Sequence, residues 1–128
     1  MVEFSAHEAN TIIPLGGDAC TLLASFSGMI EGDHIGVGTI AATSVVNFCT
    51  GVQTSEAVIT AANGDQLSFE TVGNFDPSDP TNVSFWGDFT FTGGTGRFAN
   101  ATGSGTYAGT ADTIAGVGQY DMNGMISR

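Results

Sequence analysis

The stretch FTGGTGRFANATGSGTYAG, residues 91–109, can be read in two ways, and the choice between them decides the fold. Its paired glycines and nearby Arg97 suggest a phosphate cradle, but the same glycines also suit tightly coiled β-strands. A dinucleotide-binding turn needs a third glycine in G-x-G-x-x-G and a helix opening behind it, and a Walker A loop needs a lysine. The chain has no lysine, and no helical pattern follows this stretch. Instead, Gly-x-Gly followed by a large residue recurs at irregular spacing as GVGTI (36–40), GTGRF (94–98), GSGTY (103–107) and GVGQY (116–120). Glycines at i and i+2 of a strand bare one face of it, which lets strands coil and lets bulky neighbours cross a barrel axis. The backbone reading is therefore preferred: the glycines serve curvature.

The flanking sequence agrees. In NVSFWGDFTFT (82–92), Val83, Phe85, Phe89 and Phe91 share one face, and Ser84, Trp86, Asp88, Thr90 and Thr92 the other. DQLSFETVGNF (65–75) repeats this, with Leu67, Phe69 and Phe75 opposite Gln66, Ser68, Glu70 and Asn74. Such period-two alternation marks half-buried strands. Asn63-Gly64 lies between two β-runs and predicts a hairpin, with a type I′ turn if both residues take positive φ. Further strands are expected near 21–31, 34–48, 52–62, 101–112 and 116–127, with a short one near 11–15. One all-β domain follows, a closed antiparallel up-and-down barrel of seven or eight strands. A two-sheet sandwich is the alternative.

Charge narrows the function classes. Thirteen acidic residues face two arginines, for a formal net charge of −11. Such a chain repels phosphate backbones and anionic lipid surfaces, so neither nucleic acid nor membrane is expected as a partner. No EF-hand loop is present; NFDPSDPTN (74–82) is the one cluster of oxygen ligands worth naming, and Asp76 and Asp79 there read as turn residues. His7 and His34 are the only histidines. They give no zinc spacing, and there is no G-x-S-x-G nucleophile elbow. No metal or organic cofactor is expected.

Cys20 and Cys49 leave two possibilities open. In an exported protein they form one disulfide joining the first strand region to the second hairpin; in the cytoplasm they are small core residues. The expectation is export to the extracellular space or periplasm, with Met1 standing where a leader was removed and a cytoplasmic location as the alternative.

FTFTGGTGRFANATGSGTYAG also resembles the G-G-[ST]-G-x-F-x-x-x-x-G stretch of the allene oxide cyclase and dirigent-like barrels, and more closely still that of small exported bacterial proteins assigned to that barrel. ITAANGDQLSF (59–69) is similar to their central hairpin. GDHIGVGTI (32–40) is similar to their T-H-L-G segment, with Asp33 in place of the threonine. The likeness spans about residues 24–127. It implies an apolar cavity that restricts a substrate's conformation, with one or two polar groups for proton chemistry. The activity implied is a cofactor-independent cyclisation or isomerisation of a small apolar or amphipathic molecule; homo-oligomers also occur in the group.

Within this frame Arg97, Tyr107, Tyr120 and Glu70 are the candidate catalytic residues. Arg97 is either a salt bridge pinning its turn or an anion clamp at the barrel mouth. Tyr107 and Tyr120 either fill the core or present phenol groups to a ligand. Phe85, Phe89, Trp86 and His34 are the candidate ligand contacts; the plainer reading of His34 is a strand-start residue bonded to a neighbour. If the two strand faces are reversed, Trp86, Glu70 and Asp88 line the interior, and a buried carboxylate becomes a general acid–base. The competing functional class is an exported structural or interaction barrel with a filled interior, acting through its acidic surface. The two classes differ in the cavity: a binder needs roughly 300 Å³ or more, while an interaction protein is packed solid.

Overall fold

A computed structural model describes residues 1–128. Eight antiparallel strands close into a barrel in chain order: β1 (Val2–Gly17), β2 (Thr21–Gly32), β3 (Gly36–Asn47), β4 (Val52–Thr60), β5 (Gln66–Asp76), β6 (Val83–Gly94), β7 (Thr102–Asp112) and β8 (Val117–Ser127). β1 pairs with both β2 and β8, so no strand edge is left open. The closed barrel is thus the observed architecture, not the sandwich.

The period-two pattern sets which face turns inward. Leu67, Phe69, Phe89 and Phe91 are buried, whereas Glu70, Trp86 and Asp88 are exposed. The reversed assignment therefore fails, because it would put large apolar rings in water and carboxylates in the core. β1 is far longer than the short strand expected near 11–15. Its inward row is Phe4, Ala6, Glu8 and Asn10, and the two polar residues break the apolar alternation that would have announced it.

Two local expectations change in detail. The Asn63-Gly64 hairpin forms, but only Gly64 has positive φ (93°). The Asn63 side chain accepts from the Asp65 backbone N–H (3.0 Å), and the Gly64 N–H donates to the Ala61 carbonyl (3.0 Å). This Asx arrangement keeps Asn63 out of the left-handed region and replaces the type I′ turn. The GTGRF copy is not strand throughout: Gly96–Phe98 forms one 3-10 turn, and Phe98 plugs the barrel with 0% exposure.

The barrel has two unlike ends. The lower end carries the chain termini and the β2–β3, β4–β5 and β6–β7 connections; the upper end carries the other four loops. The lower half is filled by Phe4, Phe69, Phe89, Phe91 and Phe98 with Ile, Leu and Met between them. Ring centroids sit 5.1 Å apart for Phe4–Phe91 and 5.2 Å for Phe89–Phe91. At the upper end a Cys20–Cys49 disulfide (Cα–Cα 5.2 Å) ties the β1–β2 loop to the β3–β4 loop. The loops there are held by side-chain turns, in which Asp18, Asn47, Asp76, Asp79 and Asp112 accept backbone N–H groups two or three residues on. Asp76 and Asp79 thus serve the turn.

Candidate functional site

The upper half of the barrel encloses a cavity of about 370 Å³ to which all eight strands contribute. It exists because the inward residues there are small. Ala24, Ala42, Ser55, Ala111 and Gly118 occupy levels that an eight-stranded barrel needs large side chains to fill. Phe48, Phe75, Pro77 and Pro80 surround its mouth.

A polar layer runs from the cavity floor up its β3–β4 wall. Tyr107 donates from its hydroxyl to Gln53 Oε1 (2.7 Å), and Gln53 Nε2 donates to Ser44 Oγ (2.8 Å). Ser44 in turn donates to the Thr54 carbonyl (3.1 Å), while the Ser55 and Thr71 hydroxyls bond each other. Glu8, 1% exposed, accepts from Asn10 Nδ2 at 2.6 Å through Oε1. Glu8 Oε2 and Asn10 Oδ1 are buried without a hydrogen-bond partner in the protein.

Glycines place the phenols. Gly73 of β5 and Gly87 of β6 face each other across the pair. The tip of Tyr107 rests over them: a Cβ on Gly87 would lie 3.0 Å from its hydroxyl, and one on Gly73 would collide with it. Gly73 and Gly87 lie outside the Gly-x-Gly pairs read from the sequence, and the bare face they leave seats the Tyr107 ring tip. Tyr107, Tyr120 and Phe85 pack as one wall with centroids 5.8–6.2 Å apart, Tyr120 edge to face with the other two and Phe85 tilted on Tyr107.

Burial governs the titration of these groups. It pushes the Glu8 carboxyl up, while the Tyr120 hydroxyl, the Asn10 amide and His7 pull it part of the way back. Tyr120 is pushed well above the ordinary phenol range, first by burial and then by the Glu8 charge. Its ring borders the cavity and is partly exposed to it. Tyr107 also rises, by burial first, against the Thr71 hydroxyl. A neutral carboxyl beside neutral phenols can donate protons in a dry site.

Of the residues singled out from sequence, Tyr107, Tyr120 and Phe85 meet in this cavity. Phe89 lies below its floor in the packed half. Arg97 is elsewhere: it follows β6 at the lower end, with Nε 3.6 Å from Asp65 and its guanidinium 4.7 Å above the Phe98 ring. The placement corrects the clamp at the open mouth and leaves the turn-pinning salt bridge. His34, also at the lower end, has φ 67° and a ring nitrogen 3.1 Å from the Glu3 carbonyl. Trp86 projects from the outer wall, 46% exposed. Glu70 is on that wall too, directly across from Glu56 of β4, so neither reaches a ligand inside.

Glu8, Asn10, Gln53 and Thr71 were not expected at a site. The signal for Glu8 and Asn10 was the interrupted row Phe4, Ala6, Glu8, Asn10, Ile12: two polar residues in register with an apolar face. The interior is filled below and open above, so neither expectation for the cavity holds over the whole barrel. Comparison of the chain with models of known protein families, with curated proteins and with solved structures found no match.

Proposed function

We propose that this protein binds a compact apolar or amphipathic molecule in the upper half of its barrel. Glu8, Tyr120 and Tyr107 serve there as proton-handling groups for a cofactor-independent isomerisation or cyclisation. The observation that carries the reading is a cavity of about 370 Å³ with a buried, unpartnered carboxyl oxygen in its floor. Binding sites are typically apolar hollows of this size with a few convergent polar groups. A protonated Glu8 can give its proton to a ligand oxygen and, once ionised, take one back from a neighbouring carbon. The likeness of residues 89–109 to the allene oxide cyclase and dirigent-like barrels favours the same class of chemistry. The Cys20–Cys49 disulfide favours an exported protein, since such bonds persist in oxidising compartments.

Native mass spectrometry and thermal unfolding against neutral epoxides, phenolics and lactones test this. A true ligand at a hundredfold excess over its Kd stabilises the fold by about 2.7 kcal/mol and is retained in the native mass. Ala42→Phe, which fills the cavity, removes both effects. An unliganded mass and an unchanged Tm with every class would defeat the binding reading and favour the acidic outer surface as the working face.

A further inference from the structure

The groups in this chain that can carry positive charge are the N-terminus, Arg97, Arg128, His7 and His34, and none borders the cavity. The N-terminus precedes β1, and Arg128 follows β8, both at the lower end, where Arg97 and His34 also sit. His7 points outward, its Nδ1 2.7 Å from Asp121. The mouth has the opposite character. Asp18, Asp76, Asp79 and Asp112 stand in its loops, and hydrogen bonds from Thr21, Ser78 and Thr81 hold the Asp18, Asp76 and Asp79 carboxyls, respectively, below their ordinary range. An anion approaching the cavity would therefore meet fixed negative charge at the rim and find no cation inside.

The floor adds acceptors aimed into the cavity, with the Tyr120 hydroxyl the neighbouring donor that acts on the Glu8 carboxyl. Glu8 Oε2 and Asn10 Oδ1 are both acceptors without a partner, on residues 1% and 8% exposed, and both residues border the cavity. Leaving such a buried acceptor unpaired is unfavourable, and a ligand bringing donors would recover that loss. The aromatic wall of Phe85, Tyr107 and Tyr120 stands beside them, and ring faces attract cations.

We propose that the cavity is an organic-cation site. It takes a compact amphipathic amine head first, with the ammonium donating to Glu8 Oε2 and Asn10 Oδ1 and the apolar body along the upper walls. It rejects molecules whose polar end is an anion. This rests on the binding reading above and adds the chemistry of the head group. A bound ammonium stabilises ionised Glu8, offsetting the burial that otherwise favours its protonated form. The net charge of −11 steers such ligands inward.

Isothermal titration calorimetry at moderate salt with octylamine, octanol and octanoate separates the possibilities, because the three differ only in the head. The amine is expected to bind about tenfold or more tighter than the alcohol, with octanoate weaker than either. Glu8→Gln keeps the shape but removes the charge, and should shrink the preference for amine over alcohol to about threefold or less. Ala42→Phe should abolish binding of both. Octanoate binding as tightly as octanol would overturn the charge selection while leaving the binding reading intact. An unchanged amine preference in Glu8→Gln, or amine binding that survives Ala42→Phe, would overturn it too, the latter by placing the amine on the acidic outer surface. Failure of amine and alcohol alike would remove both readings.

Discussion

The two halves of the barrel are built from the same strands yet packed to different rules. Below the polar layer, inward positions hold Phe, Ile, Leu and Met, and a 3-10 turn drives Phe98 into the opening. Above it, small residues such as Ala24, Ala42, Ser55 and Gly118 stand between larger ones such as Phe26, Phe75 and Phe85, and the loops carry prolines and carboxylates. The lower half holds the fold together so that the upper half can remain open. Stability and chemistry are thus separated along one axis, with Tyr107 shared by both: it belongs to the core cluster and to the cavity floor.

The sharpest way to break this comparison is to truncate one phenylalanine at each end. Phe98→Ala, at 0% exposure, should cost about 3–5 kcal/mol by urea unfolding. Phe48→Ala at the mouth, 53% exposed and packed edge-on against Phe75, should cost about 1 kcal/mol or less. Equal losses would mean that the upper end also carries the fold.

A smaller effect comes from adding volume. Ala57→Phe in the packed half should destabilise by about 1–3 kcal/mol, because the side chain has no room. Ala42→Phe beside the cavity should change stability by less than about 1 kcal/mol, since open space receives the ring. Thermal melts of the two variants compare the halves directly.

The smallest effect is in pH dependence. Burial raises the folded Glu8 pKa above its ordinary 4.5, so the stability it contributes is fully present below that value. That contribution is lost as pH rises through the raised folded value. Asp18, Asp76 and Asp79 have lowered values, so their contributions are present above 3.8 and lost as pH falls through the lowered ones. Glu8→Gln should therefore flatten the loss on the neutral side and leave the acid side unchanged. Tyr120, the phenol that acts on Glu8, is pushed well above the ordinary phenol range and so does not titrate in the acid window where Glu8 is read. An unaltered stability profile would mean that Glu8 is solvated in the free protein.

Much of the fold was legible because alternation and turn chemistry are local. The rows through Leu67, Phe69, Phe85 and Phe89 give strand and inward face at once, and the glycine pairs announce coiling. β1 was harder for a reason tied to the site itself. A polar residue placed inward for chemistry erases the apolar period that reveals a strand, so Glu8 and Asn10 hid both the strand and themselves. Arg97 misled in the opposite sense: being the lone cation ahead of the C-terminal residue made it conspicuous, but the antiparallel order of strands puts its turn at the packed end.

The sequence by itself determined an all-β chain, the apolar and polar faces of the stretches 65–75 and 82–92, the acidic composition and the presence of two cysteines able to pair. These follow from side-chain period and composition, which need no partner strand. Closure of β1 onto β8, the Cys20–Cys49 bond and the cavity were decided only by tertiary structure. Whether facing side chains fill the interior depends on residues far apart in the chain meeting at one level of the barrel. In the upper half Ala24, Ala42 and Ala111 stand between larger side chains that leave a cavity among them; in the lower half the Phe4, Phe69 and Phe89 rings meet and close the interior.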